Sequence, residues 1–297
     1  MKSILHEAIN VVTSQFDYES RIKCEYLLNK KKLLSSKNSK SFSEKIIYRR
    51  VYPLSIFSLL ADKIAVREYV KKKGGEKYLI PLYGTYDRLT IEDINRLPES
   101  FVLKANHGCG LNKIVLNKSK EDINRLIEEA NGWLEIDYSK VFGEKHYERI
   151  RPMLLAEKLL LNHNKIPEDY KIHVFNRFDK REQFIFIQVI SNRYGDQKRY
   201  LVSRDWTPLP FEIVDFATNV NIKCENKPTC LGEMLNVAKI LSESFGYCRI
   251  DLYAIGDKVY FGEMTFTPRG GSFIFNPPNW DLILGEKFGW PEKDFCI

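Results

Sequence analysis

The sequence predicts an α+β protein with two α+β lobes behind a mainly helical N-terminal region. Three observations carry that expectation. At 297 residues the chain can build more than one hydrophobic core. Hydrophobic content of 44% with 29% charged residues belongs to a folded protein and excludes a disordered or fibrous one. Residues 3–70 place apolar side chains at three- and four-residue spacing, whereas much of the later sequence reads as short strands bounded by turn residues.

In chain order, "SILHEAINVV", "DYESRIKCEYLL" and "SFSEKIIYRRVY" read as helices, and Pro53 and Gly74-Gly75 punctuate the region. Residues 1–75 are therefore expected to form a basic, mainly helical N-terminal region. "YLIPLYGTYD" reads as a strand and turn, and "TIEDINRL" as a short helix. "ESFVLKANHGCGLNKIVLN" reads as a strand, a glycine-containing loop and a second strand, followed by the helix "SKEDINRLIEEANGWLE", for which Ser119 is the candidate cap. "RPMLLAEKLLL" is a further strand, and the first lobe is expected to span 76–158. The second lobe, 159–297, opens with the hairpin "DYKIHVFNRFDKREQFIFIQVI" and a third strand in "KRYLVSRDW". "TCLGEMLNVAKILSESFG" has an amphipathic helix's spacing at Leu231, Met234, Leu235, Ala238, Leu241 and Phe245. "RIDLYAIGDKVYFGEMTFTPRGG" then gives two strands joined by a Gly-Asp turn, and "WDLILGEKFGW" a last helix.

The net charge of +7 is uneven, because residues 1–75 carry 16 Lys/Arg against 7 Asp/Glu while the remainder carries 30 against 32. Such a segment suits an acidic polysaccharide, an anionic membrane surface or plain solvated helix faces. Nucleic acid is disfavoured, since no helix-turn-helix, RNA-binding aromatic signature or zinc-finger spacing accompanies the charge. The six cysteines, Cys24, Cys109, Cys224, Cys230, Cys248 and Cys296, include no CxxC pair, which argues against a zinc site or disulfide framework. No run approaches the roughly 20 apolar residues of a membrane span, and "MKSILHEAINVVTSQ" lacks a signal peptide's apolar segment and cleavage site. The expectation is a cytoplasmic protein, with the basic region available for peripheral association at the inner face of the membrane.

Several residues are candidates for chemistry. In "NHGCGLN", Gly108 and Gly110 either relieve a tight turn or expose backbone N–H groups to phosphate oxygens, with Lys104 in reach of the same anion. The spacing is not that of a P-loop. Glu157 interrupts an apolar run and needs a polar partner such as a ribose hydroxyl, unless it lies exposed on an edge strand. Lys171 is either a surface lysine or a second phosphate cation. Asp251 and Glu263 can stand side by side on antiparallel strands, where a divalent ion would relieve their repulsion and Mg²⁺ suits one or two carboxylates plus phosphate. Arg249, two residues from Asp251 on one strand face, offers a simple ion pair instead. His107 either touches phosphate or an amine proton, or satisfies local backbone groups. His146 and His173 read as structural or surface residues, and Arg193, Arg199 and Arg204 as an acceptor-binding cluster or solvated strand faces.

The order strand-Lys, glycine loop, strand-Glu, strand-Lys, Arg-x-Asp and Glu-x-Thr before a Gly/Pro loop resembles the ATP-grasp superfamily. "FVLKANHGCG", "DYKIHVFN", "DKIAVREYV" and "RIDLYAIGDKVYFGEMTFTPRGG" look like its TupA-like branch, associated with teichuronopeptide and capsular polysaccharide synthesis, over roughly residues 60–290. The resemblance implies an ATP-grasp fold, with the nucleotide clasped between two subdomains. Lys104 and Lys171 would lie near its phosphates, with the loop of His107, Gly108 and Gly110 around them. Glu157 would lie near ribose or adenine, and the backbone of Lys158 and Leu159 against adenine. Asp251, Glu263 and Thr265 would hold Mg²⁺, and Arg249 would sit beside the transferred phosphoryl group. Lys63 and Arg67 match the branch's entry motif. Two positions depart from the pattern: Thr265 stands where the superfamily usually has Asn, and Arg269 where the branch more often has a small residue, which suggests an added acceptor-binding cation.

The implied function is an ATP-dependent carboxylate–amine ligase. It would activate a uronic-acid carboxyl of a surface polysaccharide or its precursor as an acylphosphate, which an amino acid or related amine captures. Two competitors stay open on the residues alone. A glycosyltransferase of capsule biosynthesis would also use a carboxylate pair, although its Asp-x-Asp signature is missing, and a non-catalytic nucleotide-binding protein is compatible with Thr265.

Overall fold

The computed structural model describes residues 17–30, 33–34, 39–192, 197–214 and 227–291. The expected helix in "SILHEAINVV", together with Arg193, Cys224 and Cys296, lies outside them. In chain order the helices are α1 (Tyr18–Lys30), α2 (Phe42–Val51), α3 (Ile56–Ala61), α4 (Val66–Lys72), α5 (Ile91–Arg96), α6 (Ile123–Trp133), α7 (Tyr138–Phe142), α8 (Leu231–Ser242) and α9 (Trp280–Lys287). The strands are β1 (Leu82–Tyr86), β2 (Phe101–Ala105), β3 (Asn112–Val115), β4 (Leu154–Lys158), β5 (Asp169–Arg177), β6 (Glu182–Ser191), β7 (Lys198–Ser203), β8 (Glu212–Ile213), β9 (Tyr247–Ile255), β10 (Lys258–Thr265) and β11 (Phe275–Asn276).

Short polar side chains start the helices. Ser41 and Glu44 form a reciprocal capping box at α2, and Thr90 and Asp93 another at α5. At α6 the cap is Asp122, not Ser119. Ser119 sits in a preceding 3₁₀ turn and donates to Glu99 (2.8 Å), so the helix begins one turn later than the sequence suggests.

The first sheet is antiparallel, in the order β1-β4-β2-β3. Phe101, Leu103 and Ala105 of β2 and Leu154 and Ala156 of β4 bury one face against Leu126, Ala130 and Trp133 of α6. The other face carries Val102, Lys104 and Glu157. Because β4 is an inner strand, Glu157 is not on an edge; it is 6% exposed and ion-paired.

The second sheet, β10-β9-β5-β6-β7, is also antiparallel throughout. Tyr170, Ile172, Val174, Ile250 and Leu252 on one face pack with α8 and with Phe57, Leu60, Val66, Tyr69 and Val70 of α3 and α4. The opposite face is divided. At one end Phe175, Phe186 and Tyr247 join Phe42 and Ile46 of α2 in an aromatic core closed by Phe273, Phe275, Leu284 and Phe288. At the other end it presents Asp169, Lys171, Arg249 and Asp251.

Helices α2–α4, from the segment expected to form a basic region of its own, thus supply core to the second sheet. Three of their cations point inward. Arg49 donates to the carbonyls of Phe266 and Tyr247 (both 2.8 Å), Arg50 to those of Gly143 and Phe142 (both 2.9 Å) and Gly270 (3.1 Å), and Lys45 to Gly285 (2.8 Å) and Phe288 (3.2 Å). That part of the basic charge holds the fold and is not a solvated face. Among the described residues no helix is long and apolar enough to cross a membrane.

Candidate functional site

Alternation places the charged residues. In β5, Tyr170, Ile172 and Val174 take the core face, so Asp169, Lys171 and His173 share the other. In β9, Cys248, Ile250 and Leu252 are buried in the same core, which turns Arg249, Asp251 and Tyr253 to the site. Lys171 is the register partner of Asp251, and His173 of Arg249.

Glu263 reaches that face by a different device. The ladder runs Phe261↔Leu252 and then Glu263↔Asp251, so Gly262 is an extra residue in β10. Before the bulge Val259 and Phe261 point to the core; after it Met264 and Phe266 do. A regular ladder would pair Glu263 with Ile250 and bury it. The bulge turns Glu263 and Thr265 toward Asp251 and Arg249, and a Cβ at Gly262 would approach the Asp251 carbonyl oxygen to 3.0 Å.

The resulting cluster is tightly paired. Arg249 donates from Nε to Asp251 Oδ1 (2.6 Å) and from Nη2 to Asp251 Oδ2 (2.7 Å) and Glu263 Oε1 (3.0 Å). Lys171 Nζ lies 2.5 Å from Asp251 and 2.8 Å from Asp169. Burial works against the Lys171 charge, but Asp169 and Asp251 outweigh it and hold its pKa up. Burial would likewise raise the Asp251 carboxyl, yet Arg249 and Lys171 keep it well below the usual carboxylate range. Thr265 Oγ1 donates to Glu263 (3.2 Å). The ion pair weighed for Arg249 is therefore present, and the guanidinium spans both acids.

On the facing sheet, Glu157 accepts from Lys104 Nζ (2.6 Å) and Arg67 Nη1 (3.0 Å), and Arg67 also donates to the Ile80 carbonyl (2.9 Å). Between the sheets lies a cleft lined by Ile80, Val102, Ile114, Leu159, Leu160, Ile166 and Tyr253 with Lys104 and Asp169 at its polar side. Lys158 lines it as well. Mostly apolar walls with a few convergent polar groups suit a flat heterocycle with a polar tail.

The glycine loop closes the next stretch. Gly108 (φ +133°) and Gly110 (φ +82°) adopt backbone that other residues avoid, and a Cβ on Gly108 would strike the Tyr138 ring at 2.4 Å. Lys63 braces this loop, its N–H donating to Asn106 O (3.2 Å) and its Nζ to Gly108 O, and burial lowers its pKa. The His107 ring turns inward: it is 3% exposed, with Nδ1 at Asn106 Oδ1 (3.2 Å) and Nε2 at Ile136 O (3.3 Å), and burial pushes its pKa down. It serves the local backbone, one of the two readings weighed for it. Arg269 lies in the turn after β10 with φ +56°, its guanidinium 5.5 Å from the Phe273 ring. Arg199 donates to Gln197 (2.8 Å), Arg204 is exposed, and His146 and His173 are buried.

The structure thus brings Lys171, Arg249, Asp251, Glu263 and Thr265 together on one face and Lys104 and Glu157 on another, with Lys158 and Leu159 at the cleft. Sequence reasoning missed Asp169 and Tyr253, although each lies two residues from a named candidate and so on the same strand face. It also left Arg67 without a partner.

For a metal the donor set is two carboxylates and a hydroxyl, all hard oxygens, and a positive charge already sits between the two acids as Arg249. Among the described residues no group of three or more His, Cys, Asp or Glu would hold an ion alone. The residues fit a magnesium ion whose remaining ligands come from phosphate and water.

Two antiparallel sheets thus face each other across an apolar cleft, with Lys104 on one and the Asp169–Lys171 pair on the other. Residues 21–289 match the TupA-like ATP-grasp family model, and the chain belongs to that family. Solved structures similar to it include a D-alanine–D-alanine ligase from Helicobacter pylori, at 16% identity and TM-score 0.46 over 77% of this chain and 60% of that one. The ADP complex of a carboxyaminoimidazole ribonucleotide synthetase matches at 14% identity and TM-score 0.46, over 71% and 46%. A D-alanine–D-alanine ligase from Bacillus anthracis complexed with ATP matches at 14% and 0.42, over 70% and 55%. The chain spans about half the length of these proteins. No curated protein matches it.

Proposed function

We propose that the protein is an ATP-dependent carboxylate–amine ligase that joins a uronic-acid carboxyl of a surface polysaccharide, or its precursor, to an amino acid or related amine. The observation that carries the reading is the unbroken line Asp169–Lys171–Asp251–Arg249–Glu263, which runs from the apolar cleft across the strand face in a chain of this family. Adenine would occupy the cleft against Leu159 and Tyr253, and Glu157 would take ribose hydroxyls while orienting Lys104. Lys104, Lys171 and the N–H groups around Gly108 and Gly110 would receive the phosphates, with Arg249 at the γ-phosphoryl group.

Asp251, Glu263 and Thr265 would hold Mg²⁺, which when bound neutralises phosphate charge. The acceptor carboxylate attacks the γ-phosphorus in line and ADP leaves, giving an acylphosphate. The amine then attacks the acyl carbon, and phosphate departs as the amide forms. No protein nucleophile is needed; positioning and charge neutralisation supply the rate. Arg269 and Arg204 would meet an acidic acceptor, and the exposed part of the basic N-terminal region an anionic membrane surface on the cytoplasmic side.

Incubation of the purified protein with ATP, Mg²⁺, uronic-acid glycans and pooled amino acids should release phosphate dependent on the glycan. Failure both to bind ATP and to release phosphate would remove the ligase reading.

A further inference from the structure

In the loop after α7 stands a carboxylate, within electrostatic reach of Arg249 and Glu263, that no step above uses. Glu144 follows Gly143, the left-handed residue (φ +65°) that ends α7, and its carboxylate accepts a hydrogen bond from Thr267 Oγ1. Thr267 is 2% exposed and lies two residues past Thr265, so the segment leaving the strand that presents Glu263 supplies the donor that orients Glu144.

The placement is built from three segments. Arg50 binds the carbonyls of Phe142 and Gly143 with one side of its guanidinium and Gly270 with the other, tying the loop before Glu144 to the Gly/Pro loop after β10. Both glycines are fitted to this clamp: a Cβ on Gly143 would come within 2.5 Å of Arg50 Nη2, and one on Gly270 within 3.1 Å of its Cζ. Glu144 N–H is fixed by Ser139 O (3.2 Å). The side chain is neither on the open surface nor sealed in the core.

The charged and titratable groups whose fields reach it are Arg50 of α2, Arg249 of β9, Glu263 of β10, and Tyr138 and Tyr147 from the segments on either side of it in the chain. Arg50 and Arg249 are committed to carbonyls and to the acid pair respectively. Among the described residues the Glu144 carboxylate accepts from a hydroxyl, Thr267 Oγ1, and is in no ion pair.

We infer that Glu144 is the anchor and proton acceptor for the ammonium group of the amine co-substrate. This rests on the ligase reading. The amine arrives as R–NH₃⁺, pairs with Glu144 and passes one proton to the carboxylate. The neutral R–NH₂ attacks the acylphosphate carbon, the C–N bond forms as the C–OPO₃ bond breaks, and the second amine proton leaves with phosphate as HPO₄²⁻. Glu144 returns its proton to solvent when the amide departs. Burial raises the Glu144 carboxyl to about 7, against the opposing pull of Thr267, which suits a group that must be ionised for binding and basic enough to accept.

The test compares two amines with the same carboxyl donor. Hydroxylamine is uncharged at neutral pH and traps an acylphosphate without a base, whereas amino acids arrive as ammonium ions. For Glu144→Gln, amide formation with pooled amino acids should fall roughly a hundredfold further than hydroxamate formation does. Thr267→Val removes the bond that lowers the Glu144 pKa, so the pH profile with amino acids should move up while that with hydroxylamine stays in place.

Equal loss with both amines in Glu144→Gln, with ATP binding retained, would place Glu144 in the phosphoryl step and overturn the inference. No loss with either would do the same. If Glu144→Gln fails to fold, the Thr267→Val profile decides, and an unshifted profile counts against the role. Absence of glycan-dependent phosphate release in the unaltered protein, across the uronic-acid panel, removes the ligase reading itself and is thereby distinguished from failure of Glu144.

Discussion

Arg249 is part of the scaffold and, on the proposed ligase reading, part of the machinery as well. Its side chain is 12% exposed and that of Asp251 only 3%, so the pair sits where an unpartnered charge is costly. Replacing Arg249 by Met would leave Asp251 with Lys171 alone and put Glu263 opposite it with no cation between. Breaking a buried pair by removing one partner costs about 3–5 kcal/mol. The Arg249→Met protein is therefore expected to lose about 3 kcal/mol in urea unfolding with chelator present. If the acids are also the metal ligands, millimolar MgCl₂ should restore part of the loss in the variant and add less to the unaltered protein. A variant equally weak with and without Mg²⁺ would reduce the acids to a structural ion pair. On the proposed ligase reading turnover should be abolished in either medium, since the charge on the transferred phosphoryl group would lose its partner.

The same site is decided, at the level of its strands, by one glycine. Deleting Gly262 should leave Phe261 and Met264 on the core face and Glu263 opposite Asp251, because the deletion removes the residue that has no partner. Deleting Tyr260 instead brings Val259 next to Phe261, and one of these two core residues must then face away. The expected outcome is a modest fall in thermal midpoint for the first deletion and a much larger one for the second; the reverse order would refute the bulge as the source of the facing. This is also where sequence legibility ended. The strands, their Gly-Asp turn and the neighbourhood of Asp251 and Glu263 were readable, because period-two alternation and turn residues are local. The bulge was not, since strict alternation from the turn sends Glu263 to the core and only packing of Met264 and Phe266 reveals the switch. Ser119 failed for a similar reason: a good cap residue was claimed by Glu99, 20 positions earlier in the chain.

Over the whole molecule, the two-sheet plan was legible, but the role of the basic helices was not. Charge counts do not tell a solvated lysine from Arg49, whose guanidinium lies over four aromatic rings and is hydrogen-bonded to two carbonyls. The same interior holds three histidines in separate places: His107 in the glycine loop, His146 before β4 and His173 on β5. Burial lowers the pKa of each, that of His146 to about 3. The unfolded chain takes up protons at these sites from about pH 6.5 downward, while the folded protein takes them up only at lower pH. Their contribution to stability is therefore fully present above that pH and is lost as pH falls toward the folded value. For His146 the loss reaches about 2 kcal/mol at pH 5. Glu144 runs the other way, since a raised carboxyl costs stability as pH rises through about 7, but it is one group against three. Asp251 does not enter this window, because it is ionised in both states above about pH 5 and its contribution is lost only as pH falls through and below the ordinary carboxylate range. Urea midpoints should thus fall between pH 7.5 and pH 5, with a shallower slope in His146→Gln. A flat or inverted profile would mean that these rings gain protons inside the fold.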